Sequence, residues 1–410
     1  RLWRFIYRSP KNLGRGLENN RRRRGYKALN KGMVAVAAGA PDEAERCARR
    51  ADQLLEEAPM TKLLAAQAAQ LKGDESAART CFEAMLEDPE TRFLGLRGLL
   101  TQAIKEGDDE AALAHVREAR TLQPRSPWVQ TSLFDLAERA GNFGEADEAM
   151  KAAAKLKAVP ADEALRKRSA LLLEQVEKAV ETGQKDEALR LARGARKLSP
   201  YWLPANLAVA RQAMAAGRGR EAEKIAREAW RSTPHPDLAN IYGIAGGGGD
   251  AITQLKRYGR LTEVFPDHRE SHLALAEAAL TAKLWGEARR HLQNAAGEEP
   301  SVRVCHLMAK LEEAEHGDSQ AARDWLERSL TAPLDPTWVC SSCGARNPDW
   351  SAHCGVCDAF DRVAWQVPPS LNQAPDKIIT IEQAPAKPAL PAESEAAKRE
   401  AVSGEAAGAS

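Results

Sequence analysis

Four cysteines lie within eighteen residues near the end of the chain, in "WVCSSCGARNPDWSAHCGVCDAF", residues 338–360. Cys340 and Cys343 form one Cys-x-x-Cys, and Cys354 and Cys357 form a second after ten intervening residues. Two such pairs joined by a short loop can set four thiolates at the corners of a tetrahedron, the arrangement zinc prefers with sulfur donors. An iron centre of rubredoxin type uses the same four ligands, and spacing does not separate the two metals. With every position filled by sulfur, none stays open for substrate, so the metal expected here is structural.

Other cysteine chemistries fit less well. A redox dithiol is normally a single Cys-x-x-Cys beside a βαβ pattern, which this sequence lacks. A c-type haem needs histidine directly after the second cysteine, where Gly344 and Asp358 stand. Disulfides need an oxidising compartment. Cys47, Cys81 and Cys305 read instead as small buried residues of helices, and unpaired thiols beside a thiolate site point to reducing surroundings. His353 adjoins a ligand but would be a fifth donor, so it is expected at the surface.

Gly344 follows the second cysteine, where a knuckle turn needs positive φ. Asp358 holds the matching place in the second knuckle, and Asp tolerates that conformation less well. Trp338, Trp350, Phe360 and Trp365 are expected to cover a small core. A module of about 30 residues, 335–366, is too small to be stable on apolar burial alone, so bound metal would supply much of its folding energy.

Such a module must be carried by something, and the preceding chain repeats. A glycine with an alanine five residues later recurs at Gly39/Ala44, Gly73/Ala78, Gly107/Ala112 and Gly141/Ala146, each step being 34 residues. The pair returns at Gly183/Ala188, Gly217/Ala222 and Gly317/Ala322, and Ala288 lies 34 before Ala322. A further alanine follows seven positions on, at Ala51, Ala119, Ala153, Ala195, Ala229 and Ala295. Pro89, Pro124, Pro200, Pro234, Pro266 and Pro300 close units.

Each unit therefore reads as two antiparallel helices with a tight turn between them. Alanine sits where the helices cross, and proline ends the second because it has no N–H to donate. One hairpin cannot bury its own apolar face, whereas a stack of them can. About nine units span residues 26–334, giving an all-α superhelix with a concave surface. The first helix of each unit should line that surface, offering Lys27, Asn30, Arg97, Trp128, Asn206 and Arg211 as candidate partner contacts. Trp202, Trp230, Trp285 and Trp325 sit near apolar neighbours and are expected in the core. The unit at 235–266 carries four glycines, Gly246 to Gly249. No Lys-Ser/Thr follows them and no strand precedes, so this is a turn in a degenerate repeat and not a phosphate-binding loop.

The ends differ in composition. Residues 1–25 hold nine Lys/Arg against one acid, Glu18, and include Trp3 and Tyr7. An aromatic, arginine-rich start without methionine is expected to follow a membrane span on its cytoplasmic side, as a juxtamembrane segment. No apolar run of 18 or more residues is present. Net charge is +1, so no whole-chain field favours nucleic acid. Residues 367–410 hold six prolines among Ala, Glu, Lys and Ser and are expected to be disordered, with Ile378, Ile379 and Ile381 as one apolar patch.

The 34-residue pattern resembles the tetratricopeptide repeat. The order of a basic aromatic start, "RRRRGYKALNKGMVAVAAGAPDEAERCARRA", repeats, and "WVCSSCGARNPDWSAHCGVCDAFDRVAW" is similar to bacterial HemY-type haem-biosynthesis proteins, over nearly all of residues 1–366. That resemblance implies a protein of the inner membrane held by two N-terminal helices not present here. It would face the cytoplasm and act in a late step of protohaem synthesis. The name is shared with a flavin-dependent porphyrin oxidase, but no Gly-x-Gly-x-x-Gly follows a strand here. The expected function is a non-enzymatic scaffold that gathers partner proteins, terminal haem-biosynthesis enzymes among them. A second resemblance, to LapB-type regulators of lipopolysaccharide assembly, rests on the same repeats and four-cysteine module. A haem or porphyrin carrier is the third reading. Against it, none of the eight histidines forms a haem motif and there is no Cys-Pro pair.

Overall fold

The computed structural model describes residues 2–55, 59–247, 249–317 and 319–369, with backbone alone for residues 2–17. Eighteen helices in nine consecutive pairs precede three short strands among the described residues. The pairs are α1 (Leu2–Ala37) and α2 (Pro41–Leu54), α3 (Pro59–Lys72) and α4 (Glu75–Met85), and α5 (Arg92–Glu106) and α6 (Asp109–Leu122). Next come α7 (Pro127–Arg139) and α8 (Phe143–Lys155), α9 (Ala161–Glu181) and α10 (Lys185–Leu198), and α11 (Leu203–Ala215) and α12 (Gly219–Trp230). The last are α13 (Pro236–Ala245) and α14 (Ala251–Thr262), α15 (Arg269–Thr281) and α16 (Trp285–Ala296), and α17 (Val302–His316) and α18 (Ser319–Ser329). The strands are β1 (Thr337–Cys340), β2 (Arg346–Asn347) and β3 (Val363–Gln366), in the antiparallel order β2-β1-β3. This is an all-α tetratricopeptide-type array carrying a small four-cysteine module.

The repeat signal has a direct physical counterpart. Gly39, Gly73, Gly107, Gly141, Gly183, Gly217 and Gly317 all take φ between 65° and 78°. At Gly39 the N–H bonds to Val36 O at 3.0 Å and the next N–H reaches back to Ala35 O at 2.9 Å, the paired closure that ends a helix on a left-handed residue. Lys283, 34 residues before Gly317, accepts the same strained φ of 57° in its unit. The recurring alanines are buried throughout, with Ala44, Ala78, Ala112, Ala146, Ala188, Ala222 and Ala288 at 0% exposure. The glycine run falls between α13 and α14, with Gly247 and Gly249 at positive φ, as a turn.

The chain forms two compact units, one reaching to Ala112 and the other covering Leu113–Gln373. In the first, α1 passes residue 25 without a break. Gly25 is in contact there with Leu55, whose Cγ would stand 2.5 Å from a Cβ, so the basic segment runs directly into the first hairpin. The calls on Trp3 and Tyr7 lie outside the described side chains. Leu64, Met85, Leu96 and Leu100 fill this unit. In the second, Phe134, Leu133, Leu189, Leu207 and Trp230 are fully buried. Its largest apolar cluster runs from Leu173 on α9 into Trp338, Cys340, Cys354 and Val363, so array and module share one core. Of the expected core tryptophans, Trp230 is fully buried, Trp285 and Trp325 are partly buried against the α15–α17 cluster, and Trp202 packs on the module. Among the described residues, no helix is long and apolar enough to cross a membrane. The tail beyond Pro369, with the 378–381 patch, lies outside the described residues.

Candidate metal centre

The two knuckles are built by the turns the sequence requires. Gly344 N–H donates to Cys340 O at 2.8 Å with Gly344 at φ 73°, and Cys340 N–H donates to Ala345 O at 2.9 Å. In the second, Asp358 N–H donates to Cys354 O at 2.9 Å and Asp358 adopts φ 57°, despite carrying a Cβ. Each turn holds its two sulfurs on one side, and pairing of β1 with β3 from Thr337–Gln366 to Cys340–Val363 fixes the first knuckle to the sheet.

All four Sγ atoms lie within 4.8 Å of one another. Cys340 Sγ is 3.8 Å from Cys357 Sγ, and Cys343 Sγ is 3.7 Å from Cys354 Sγ. A tetrahedral ion with metal–sulfur bonds of about 2.3 Å has sulfurs about 3.8 Å apart. The cluster therefore has the size and donor set of a four-thiolate site. Cys340 and Cys354 are buried while Cys343 and Cys357 are exposed, so the site has an inner and an outer edge. Burial and hydrogen bonds from the other thiols push Cys343 up to about 12. Burial also opposes ionisation of Cys354, but N–H groups of Cys357 and Val356 and the neighbouring thiols outweigh it and hold Cys354 near 6. A cation placed among the sulfurs would favour the thiolate form of all four.

The module is pinned to the array at several points, all within the second unit. Asp335 caps the start of α17, accepting from Ser301 Oγ at 2.6 Å and Arg303 N–H at 2.7 Å, and this anchors the linker just before β1. Arg166 on α9 donates from Nε to Asp361 Oδ2 at 2.8 Å. Arg211 on α11 spans Asp349 of the module at 2.9 Å and Asp237 of α13 at 2.6 Å. His353 is not at the surface, because it enters between two acids: its Nε2 is 2.6 Å from Glu138 Oε1 on α7 and 3.8 Å from Glu174 Oε2 on α9. Those carboxylates push His353 up to about 11.

Aromatic side chains complete the contact. Trp350 meets Trp202 edge to face at 5.1 Å, Phe360 meets Phe134 at 5.7 Å, and Trp365 lies 4.1 Å from the His235 ring. The four aromatics expected to enclose the module's own core thus also face the array. His235 caps α13 by accepting the Asp237 N–H on Nδ1 at 3.1 Å, and its burial depresses it to about 4. Spacing revealed the ligands but none of these partners. They lie 31 to 215 residues from the module side chains they meet, and only an arginine or acid on a first helix hinted at them.

The six candidate groove residues do not form one cluster. Lys27 and Asn30 are exposed on α1 and Arg97 on α5. In the second unit Trp128 is half-buried on α7. Asn206 is 1% exposed, donating to Pro200 O and Trp202 O and accepting from Arg196, so it shapes the turn before α11 and offers no surface. Arg211 is already engaged by the module. Beyond the module, Asp237, Asn240, Ile244, Glu270, Glu277 and Arg303 line an open cavity of about 590 Å³.

The array and the four-cysteine module define a tetratricopeptide-type protein with a metal-binding appendage. Residues 1–73 match the family model described as HemY protein N-terminus, and over that segment the chain is of the HemY type. It is also similar to the probable magnetosome protein Mms48 of Magnetospirillum gryphiswaldense, 34% identical over 235 residues, 57% of this chain. The chain spans about half, 52%, of that relative. Among solved structures, Naa15/Naa10 bound to HypK-THB aligns over 79% of this chain and 52% of its own at 16% identity and a TM-score of 0.46. A tetratricopeptide repeat protein from Parabacteroides merdae aligns over 61% and 99% at 14% identity and a TM-score of 0.27. MamA aligns over 41% and 93% at 17% identity and a TM-score of 0.27.

Proposed function

We propose that this chain is a non-enzymatic scaffold of the bacterial inner membrane, facing the cytoplasm and linked to late protohaem biosynthesis. The single observation that carries the link is the HemY-type N-terminal segment at residues 1–73, joined to helical hairpins of a kind that bind other proteins. The four cysteines would hold zinc or iron with no open position, so the metal folds the module and takes no part in turnover. The docked module then covers first-helix residues of α7, α9, α11 and α13 in the second unit. A partner would use the uncovered stretch at α13, α15 and α17. There Ile244 is 57% exposed beside Glu270 and Glu277, which suits a helix presenting apolar and basic residues.

The test is a cross-linked pull-down from membranes with the full-length protein and with a Glu277→Lys, Ile244→Asp variant. Recovery of ferrochelatase or a porphyrinogen oxidase, reduced in the variant, is the expected result. Recovery of lipopolysaccharide-assembly proteins without any tetrapyrrole enzyme would overturn the haem assignment.

A further inference from the structure

The junction between array and module brings together a second set of metal-ligating atoms. Glu138 Oε1 from α7, Glu174 Oε2 from α9 and His353 Nε2 from the module all lie within 4.8 Å of one another. Their surroundings are largely dry: the side chains of Glu138, Glu174 and His353 are 3%, 17% and 27% exposed. His353 Nδ1 faces the Asp358 carbonyl at 3.2 Å. With the Nδ1 proton given to that carbonyl, the Nε2 lone pair points at the two carboxylates.

Three converging acceptors in a dry site repel one another unless a cation sits among them. A proton on His353 satisfies one contact, the 2.6 Å bond to Glu138. It leaves Glu174 Oε2 buried with no hydrogen-bond partner, while Lys178 reaches only the other oxygen, at 3.4 Å. An ion bound at about 2.1 Å to each donor would set them about 3.0–3.4 Å apart. The present 2.6 and 3.8 Å separations bracket that spacing and need shifts of only a few tenths of an ångström.

We propose that Glu138, Glu174 and His353 form a second metal site, distinct from the four cysteines, that binds one divalent transition ion and locks the module to the array. One imidazole and two carboxylates suit Zn²⁺, Fe²⁺ or Mn²⁺ and would leave positions for water. The imidazole ligand is held by its backbone carbonyl partner as metal-binding histidines commonly are.

The test is the metal count of the full chain. The protein is stripped and reloaded with Co²⁺, and bound equivalents are measured after desalting, with the thiolate-to-cobalt charge-transfer band reporting the cysteine site separately. Wild type is expected to hold two equivalents. Glu174→Gln, which keeps shape but removes the charge, is expected to hold one with the charge-transfer band unchanged, and Glu138→Gln likewise. One equivalent in the wild type overturns the proposal whatever the variants do. Two equivalents retained in both variants overturn it as well, since the second ion would then be bound elsewhere.

Discussion

Replacing Arg166 by alanine should loosen the module from the array through the carboxylate it leaves behind. The Asp361 side chain is 3% exposed, whereas Arg166 is 43% exposed, so the acid is the buried member of the pair. Burial already raises Asp361 above the ordinary carboxylate range although Arg166 draws it down. Breaking a fully buried pair costs about 3–5 kcal/mol, and an exposed pair contributes about 0–1 kcal/mol. With one partner half in water, we expect about 2 kcal/mol, or roughly 30-fold in the docking equilibrium. Tryptophan fluorescence during urea titration reads this, because Trp350 and Trp202 are in contact only while the module is docked. The cause is separated from the loss by Asp361→Asn. In the Arg166→Ala background it removes the uncompensated charge and should recover at least half of the cost. Asparagine also suits the φ of 53° at this position. A double variant as unstable as the sum of both singles would refute the reasoning, because the cost would then come from lost contact and not from buried charge.

Three other outcomes are expected. His235 is held near 4 by burial, below the ordinary histidine value, so its contribution is complete above about pH 6.5 and is lost as pH falls towards 4. Asp237 on its own helix, Arg211 on α11, Asp349 of the module and Arg303 on α17 are the charged groups facing it. Docking measured by the same fluorescence should weaken over that window, and His235→Asn, which retains a capping acceptor, should flatten the slope. Removing metal with a chelator, or Cys340→Ser with Cys343→Ser, should unfold the module, since strands of 4, 2 and 4 residues cannot hold together alone. Protease cleavage within 337–366 at unchanged helical circular dichroism is the readout. In the first unit, Gly95→Ala places a Cβ 2.7 Å from the Phe82 carbonyl oxygen, which is backbone and cannot swing away. A loss of about 1–3 kcal/mol in thermal or urea unfolding is expected, against less than about 0.5 kcal/mol for Gly144→Ala, where the space is open.

Legibility followed the range of the interaction. Turn glycines and crossing alanines are local requirements repeated every 34 residues, so their period exposed the hairpins. The four ligands were equally plain, because each knuckle is a closed turn of a few residues. The edge-to-face pair of Trp202 and Trp350 left no such trace. Trp202 looked like any core tryptophan, and only the fold brings a residue 148 positions later against it. His353 was misread for the same reason. Beside a ligand it looked surplus, yet its partners stand on α7 and α9. Asn206 failed differently: a polar residue on a first helix suggests a groove contact, but here its amide closes the preceding turn.

The docking contacts constrain how a scaffold of this form could work. Arg166, Arg211, Glu138, Glu174 and His235 are the polar groups the first helices of α7 to α13 would present, and each is engaged by the module. A partner seeking those residues must displace Asp349, Asp361 and His353 together. Asp349 is half exposed and gives little resistance, whereas Asp361 and His353 are each matched to a charge in a dry setting. Release would therefore be all or none, governed by the buried pairs and by the integrity of the metal-held knuckles beside them. Partial competition at the Arg211 edge should weaken binding of neither component by more than about 1 kcal/mol. The acidic cavity at α13, α15 and α17 needs no such release, because Arg303 already balances Glu270 and Glu277 at 2.8 and 2.9 Å. A basic partner side chain would compete with Arg303 there, so binding at this end should be sensitive to salt while module docking is not.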